Sequence, residues 1–392
     1  MVVEVAVVGI ARTPMGAFQG ALSTLSATEL GAVAIKAALL NAGVAAKDVS
    51  EVLMGCVLSA GLGQAPARQA ALAAGLPESI PCTTLNKVCG SGMKAIMQAR
   101  QALISGDADV VVAGGMESMS GAPYLLPKAR EGYRLGHGEL LDSVFYDGLQ
   151  DAAAGELMGV FAEACVDKYD YSRADQDAYA LQSLMRAQSA IYRGDFVGEI
   201  APVKVSGRNG DTVVAVDESP GCAKPEKIPQ LKPAFKKQGS VTAANSSSIA
   251  DGAAALVLMR KDDALAQGLN VLAVIKAQTQ HAQAPQWFTT APVSAIKKVL
   301  AKSNWQKDDV DLFEINEAFA CVAMVARDEL EINQSKLNIS GGACALGHPI
   351  GASGARIVVT LIAALQRLNK SKGVAALCIG GGEATAMAFE RC

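Results

Sequence analysis

A series of α/β elements near the start of the chain recurs in the same order about 260 residues later, and this repeat limits the fold more than any other feature. Residues 28–42 carry Leu30, Val33, Ala34, Ala37 and Ala38 at helical spacing and end at Gly43, which predicts a helix. Asp48 and Val49 lead it into a strand over 49–54. In the second copy a helix over 292–302 runs through Asp309 and Val310 into a strand over 312–315. Gly90-Ser91-Gly92 opens a helix over 93–104, and Ala352-Ser353-Gly354 opens one over 355–368. Strands at 109–113 and 374–379 then run into Gly114-Gly115 and Gly380-Gly381-Gly382, with Glu117 and Glu383 close behind. Together with a first strand at 5–10, this order predicts an α/β fold made of a duplicated half, two similar layers packed together, with a mostly parallel sheet.

The segment between the copies reads differently. Residues 120–241 hold much of the charge, a polar helix near 172–193, and a Pro- and Lys-rich stretch over 217–237. An inserted loop domain that contacts substrate fits this pattern. The expected division is residues 1–119 with 242–270, the insertion 120–241, and residues 271–392. Apolar residues make up 51% of the chain and charged ones 19%, enough apolar material for a large core. A net charge of -3 does not suit a nucleic-acid or membrane-surface protein. No apolar run approaches the ~20 residues of a membrane span, and residues 2–10, broken by Glu4, read as a strand and not as a signal peptide. Nine cysteines without a C-x-x-C pair disfavour a zinc ribbon or a thioredoxin motif and fit a reducing, cytoplasmic compartment. No metal site is expected.

Reactive side chains stand among glycines at three places. In Asn86-Lys87-Val88-Cys89-Gly90-Ser91-Gly92, Cys89 lies where a loop turns into a helix. The free N–H groups and positive helix end there lower a thiol pKa from about 8.5; a buried, inert cysteine is the other reading. In the stretch 341–351, His348 lies among four glycines, a place for a base serving a cysteine nucleophile or for a structural imidazole. Cys378 ends a strand before Gly380-Gly381-Gly382, whose N–H groups could hold an oxyanion or a phosphate. The chain has neither a Walker-type phosphate loop nor a G-x-G-x-x-G after its first strand. Asn316, after the strand at 312–315, is either an orienting amide or a helix cap.

Taken together these blocks resemble the thiolase family. Val88-Cys89-Gly90-Ser91-Gly92, Asn316-Glu317-Ala318-Phe319, Gly347-His348-Pro349 and Cys378-Ile379-Gly380-Gly381-Gly382 follow its signatures in order, and the stretches 113–120 and 241–245 add two more. The likeness runs over residues 5–390 and is strongest to the acetoacetyl-CoA thiolase branch. It implies a duplicated five-layered α-β-α-β-α fold with a loop domain, and ping-pong acyl transfer. Cys89 would carry the acyl group, His348 would take its proton, and Cys378 would move the proton of the second acetyl-CoA. Asn316 and His348 would hold the enolate oxygen, and the N–H groups of Cys89 and Gly380 the tetrahedral oxyanion. Leu149, Met158, Leu231, Phe235, Ala243, Ser247, Ala318 and Phe319 would line the coenzyme A path. Lys224, Lys227, Lys232, Lys236 and Lys237 are either phosphate contacts or a solvated face. Coenzyme A is then substrate and product, no separate cofactor is needed, and the family suggests homodimers or homotetramers.

Three departures from the family pattern bear on specificity. Leu157 precedes Met158 where many acetyl-CoA-specific relatives have histidine, which makes the pocket more apolar. Pro220 and Cys222 replace a tyrosine and an arginine near the adenine and a potassium ion, so no potassium requirement is expected. Glu383 follows Gly382 where a glycine-flanked Met or Gln is more usual. The expected activity is condensation of two acetyl-CoA to acetoacetyl-CoA and its reverse. The rivals are a degradative 3-oxoacyl-CoA thiolase of broader chain length, a non-catalytic lipid carrier of the same fold, and a simple cysteine hydrolase, which would leave Cys378 without a task.

Overall fold

The structure is a computed structural model and describes residues 3–207 and 210–392. The first half begins with strand β1 (Val5–Arg12) and helix α1 (Ala27–Ala42). The Ser26 side chain accepts the Glu29 N–H and the Glu29 carboxylate accepts the Ser26 N–H, fixing the start of α1. Gly43, at φ 68°, ends it in the left-handed conformation. Then follow β2 (Glu51–Gly55), α2 (Pro66–Ala73), β3 (Cys82–Leu85), α3 (Ser91–Ser105) and β4 (Val110–Ser118). An insertion carries α4 (Met158–Tyr169) and α5 (Arg173–Arg193), and β5 (Ala250–Arg260) completes the half. The second half runs β6 (Ala273–Ala282), α6 (Ala291–Ser303), β7 (Leu312–Ile315), α7 (Ala320–Glu329), α8 (Ser353–Arg367), β8 (Lys372–Ile379) and β9 (Glu383–Glu390).

Strand order is β1-β5-β4-β2-β3 in one half and β6-β9-β8-β7 in the other, the same path with one strand more. The two paths join where Ala6 pairs with Val274 and Val7 with Ala273. Helices α3 and α8 pack together in the middle, where Ile96 and Met97 share a buried cluster with Ile357, Leu361, Leu256 and Leu377. On one outer face Leu30 and Ile35 of α1 and Ala70 of α2 cover Val112; on the other, Ile296 and Val322 of α6 and α7 cover Phe313. The result is the expected α-β-α-β-α layering of a duplicated fold.

Two sequence expectations need correction. The strands are not mostly parallel: β2 is parallel to β3 and β4, and β7 to β8, while the remaining principal pairs run antiparallel. In the second half the last strand follows its predecessor through a turn too short for a crossover, so it must run antiparallel, and in the first half the last strand pairs antiparallel in the same way after the insertion. Between β8 and β9 the return is made by Gly381 at φ 86° and Gly382 at φ 87°. Secondly, Gly114 and Gly115 do not end β4, which continues through them to Ser118. They are glycines for want of room: a Cβ would lie 2.1 Å from the Ala254 carbonyl oxygen at Gly114 and 2.1 Å from that of Gly351 at Gly115. Where the second half has its glycine turn, the first half has the insertion.

Arg12, fully buried, ties β1 to that insertion. Its guanidinium donates to Asp217 at 2.7 and 2.9 Å and to Glu199 at 2.5 Å. Removing it would strand two buried carboxylates, a loss of about 3–5 kcal/mol. No helix among the described residues is long and apolar enough to cross a membrane.

Candidate active site

Residues 86–90 form a tight loop between β3 and α3. The Asn86 side-chain oxygen accepts the Val88 N–H at 2.8 Å, and Ser91 Oγ both accepts the Lys87 N–H and donates to the Val88 carbonyl. Val88 is held at φ 46°, a strained conformation for a β-branched residue. This loop sets Cys89 against the N–H of Gly380 across the halves, and its sulfur accepts from that group and from its own N–H. The expected drop in thiol pKa is not found. Burial outweighs the N–H donors and pushes the Cys89 thiol up to about 11. A resting thiolate is therefore scarce, and the sulfur needs a base at the moment of attack.

His348 is placed to be that base. It is buried, and Ser353 Oγ lies 2.5 Å from its Nδ1 while donating its own hydrogen to the Pro349 carbonyl. That arrangement assigns the ring hydrogen to Nδ1 and leaves a lone pair on Nε2, which has no hydrogen-bond partner among the described residues. Burial, with the Arg356 cation behind it, lowers the imidazole pKa to about 3, so the ring is neutral at any working pH. Asn316, at the end of β7, brings its amide nitrogen to 3.5 Å from Nδ1. Cys378 is buried one residue before the end of β8, and its thiol is raised well above the usual range by burial and then by the negative charge of a Cys89 thiolate.

Cys89, His348 and Gly380 open on one cavity of about 300 Å³. Leu149, Met158, Phe235, Ala243, Ser247, Ala318 and Phe319 line it as well, so seven of the eight expected coenzyme A contacts converge. Leu231 does not: it lines an adjoining cavity of about 360 Å³ with Lys224 and Lys227, Ala243 being common to both. Lys232, Lys236 and Lys237 line neither, and Lys236 instead pairs with Asp167 on the surface at 3.0 Å. Cys378 and Asn316 are not among the residues that line it. Among the described residues no group of three or more His, Cys, Asp or Glu side chains is arranged to hold a metal ion.

Sequence reasoning passed over several residues that brace this site. Buried Glu117 accepts N–H groups from Val57, Leu58 and Gly351, the last at 2.8 Å, and so holds the His348 loop to the first half. Buried Glu317 accepts from Tyr179, Ser183, Asn338 and the Cys344 N–H, and holds the other side of the same loop to the insertion. Glu117 and Glu317 each fall inside a quoted motif, but nothing in the written order tells a bracing carboxylate from a catalytic one. Ser353 could have been found by the repeat, since it opens α8 as Ser91 opens α3.

Comparison with known proteins agrees with this geometry. Residues 5–262 match the family described as thiolase, N-terminal domain, and residues 269–391 that described as thiolase, C-terminal domain. The chain is 52% identical to acetyl-CoA acetyltransferase 2 of Arabidopsis thaliana over 390 residues, covering 99% of this chain and 97% of that protein. It is 49% identical to an acetyl-CoA acetyltransferase of Chromobacterium violaceum (99% of this chain, 100% of that one) and 47% identical to a probable acetyl-CoA acetyltransferase of Escherichia coli (99% of each). With its duplicated layers, its cysteine loop and unpartnered imidazole on one cavity, and both family domains matched in order, this chain belongs to the thiolase family.

Proposed function

We propose that the protein is an acetyl-CoA C-acetyltransferase, joining two acetyl-CoA into acetoacetyl-CoA and coenzyme A and catalysing the reverse thiolysis. The observation that carries the reading is the bare Nε2 of a neutral His348 on the same cavity as Cys89. As Cys89 attacks the thioester carbonyl, Nε2 takes its proton, and the N–H groups of Cys89 and Gly380 receive the oxyanion. The departing coenzyme A sulfur takes the proton from His348, leaving an acetyl group on Cys89. Cys378, in its ionised form, takes a methyl proton from a second acetyl-CoA, whose enolate oxygen meets Asn316 and His348. The carbanion then attacks the acetyl carbon, and acetoacetyl-CoA leaves as the Cys89 sulfur takes that proton back from Cys378, which closes the cycle. Acylation helps the second stage: an acetylated Cys89 cannot ionise, so no thiolate charge there opposes ionisation of Cys378, although burial remains the larger obstacle. Coenzyme A is substrate and product, and no other cofactor enters.

The same reading divides the chain into residues 1–119 with 242–270, a loop domain over 120–241 and a C-terminal half over 271–392. A cytoplasmic setting is supported by nine cysteines, none in a disulfide. Assembly into homodimers or homotetramers is supported by the exposed apolar side chains Tyr124, Leu126, Leu135, Leu140 and Tyr146, all within residues 124–146 of the insertion. The decisive test is incubation with acetyl-CoA and peptide mass spectrometry. Acetylation of Cys89 in the wild type, absent together with all turnover in Cys89→Ala, is the expected result; a Cys89→Ala protein that still makes acetoacetyl-CoA overturns the assignment.

A further inference from the structure

Helix α8 carries one polar stripe through the apolar middle of the molecule. Ser353, Arg356 and Thr360 follow at helical spacing and all three are buried, while Ile357, Val358, Leu361 and Ile362 join the central core. Ser353 meets the His348 ring, and Thr360 donates at 3.0 Å to Glu199, the carboxylate that Arg12 holds. Arg356 stands between them, 1% exposed, and none of its three guanidinium nitrogens has a hydrogen-bond partner among the described residues. Its ion-pair partner is Glu314 of β7, at 4.0 Å, beyond hydrogen-bond reach. Phe313 and Ile315 join the outer core and Leu312 the central one, so alternation turns Glu314 toward α8, two residues before Asn316. The pair thus links the strand that leads to Asn316 with the helix that opens beside His348. Glu314 is a poor counter-ion, since burial raises its carboxyl to about 8 although Arg356 pulls it down. An apolar side chain would pack this layer more stably than a cation with unmade hydrogen bonds. Packing gives no reason for a charge here; its place behind the base does.

We propose that Arg356 is a positioning residue for acyl transfer: its fixed charge opposes a charged imidazole, so that His348 passes the Cys89 proton on to the departing coenzyme A sulfur instead of keeping it. The inference rests on the acyl-transfer reading above and deepens it at the same site. In that step the Cys89 sulfur bonds to the acetyl carbon and its proton goes to Nε2. The bond from that carbon to the coenzyme A sulfur breaks, and the departing sulfur takes the proton. A base that held the proton would leave coenzyme A to depart as a thiolate, which returns readily to the acetyl carbon. Arg356 supplies the push, and Glu314 sets its size: ionised, it offsets the cation; protonated, it does not. The other charged groups around the pair are Glu317 beyond β7, Glu199 of the insertion, Arg12 of β1 and Arg186 of α5. Each is engaged elsewhere: Glu317 with Tyr179 and Ser183, Glu199 with Arg12, and Arg186 with the carbonyls of Gln334 and Leu337.

The experiment compares Cys89 acetylation of the full chain by acetyl-CoA and by an acetyl ester of an acidic thiophenol, whose thiolate leaves without a proton. The ratio of the acetyl-CoA rate to the thiophenyl ester rate should fall at least tenfold in Arg356→Met and return to within twofold of wild type in Arg356→Lys. NMR of labelled histidine rings reads the cause directly, with His137 and His281 as references. At pH 4.5 the charged fraction of the His348 ring should be at least fivefold higher in Arg356→Met than in the wild type. Equal losses on the two thioesters, or a ring charged no more than in the wild type, overturn the role, because damage to packing alone gives that result. If the Met variant does not fold, Glu314→Gln carries the test. Its rate on the thiophenyl ester, relative to wild type, should fall at least threefold between pH 7 and pH 9, where the wild-type carboxyl ionises and offsets Arg356; a flat ratio overturns the role. No acetylation of wild-type Cys89 removes the acyl-transfer reading and this role with it.

Discussion

At the ends of β7 and β8 the second half presents Asn316 and Cys378; at the ends of β2 and β4, the same places in the duplicated order, the first half presents Cys56 and Glu117. Both cysteines are buried and both thiols are raised. Their neighbours differ in kind. Cys56 donates to the Glu117 carboxylate, whose negative charge adds to burial in keeping the thiol protonated. The charge that opposes Cys378 is that of a Cys89 thiolate, which cannot form once Cys89 is acylated. The Glu117 carboxylate fills the N–H groups around it as a substrate oxyanion would, and its strand ends become scaffold. Duplication supplied two strand-end sites, and the chain closed one internally to hold the other in shape.

The largest effect should separate the paired cysteines. Cys378→Ala is expected to cut condensation by roughly 10²–10⁴-fold, the scale of a lost proton-transfer group, while Cys89 is still acetylated. Cys56→Ala should stay within about threefold, because no proton leaves a thiol locked on a carboxylate. Equal losses in a steady-state assay of acetoacetyl-CoA formation would erase the distinction. The serines that open α3 and α8 offer the next comparison. Ser353→Ala frees the Nδ1 hydrogen of His348 and is expected to slow acylation by roughly 10–100-fold through loss of the working tautomer. Ser91→Ala leaves the Lys87 N–H without its acceptor and should cost about 1–2 kcal/mol of stability. Stopped-flow acylation and thermal melts on both variants read the two effects separately.

What could be read in the written chain follows the same divide. Helical spacing in α1, the glycine-flanked starts of α3 and α8, and the strand at β7 are local patterns, and they were legible together with their repetition. Antiparallel returns were not, because whether a strand turns back or crosses over depends on what fills the next 130 or so residues in one half and three glycines in the other. Cys89 and His348 were visible because a reactive side chain among glycines has little packing to do. The direction of the Cys89 pKa shift was not visible, since the helix end is local and burial by Met119, Leu149 and Ile350 is tertiary. Glu117 and Glu317 were hidden for the same reason: their donors come from loops distant in the chain.

Glu117 should produce an effect smaller than either substitution at the reacting groups. Its carboxyl is raised by burial to about 7, against donors that pull it down. The folded protein thus binds this proton more tightly than the unfolded chain does. The stability it contributes is greatest below pH 4.5, declines as pH rises through the window from 4.5 to 7, and is least above it. Denaturant titrations at pH 5 and pH 7.5 should show wild type losing more stability across that interval than Glu117→Gln, by up to about 3 kcal/mol at the limiting slope of ~1.4 kcal/mol per pH unit. At pH 7.5 the Gln variant turns an N–H toward donors that expect an acceptor, and kcat should fall several-fold with KM for acetyl-CoA little changed. Parallel stability curves for the two proteins would show that the first-half site does not titrate.

The smallest expected effect lies where the halves touch beside the nucleophile. Lys87, in the Cys89 loop, forms an ion pair with Glu383, at the start of β9 just after the glycine turn that carries the Gly380 N–H. The side chains are 20% and 37% exposed, so water screens the pair and its stability contribution is about 0.2–1 kcal/mol. Its leverage is geometric, because it spans the two loops that supply the oxyanion donors. Glu383→Gln should lower kcat about two- to threefold at low ionic strength, on the scale of a screened pair, and the deficit should shrink as salt rises and weakens the wild-type pair too. A double-mutant cycle with Lys87→Gln should give a coupling of at most about 1 kcal/mol in both melting and kcat. Coupling in melting without coupling in kcat would mean that the bridge joins the halves but does not align them.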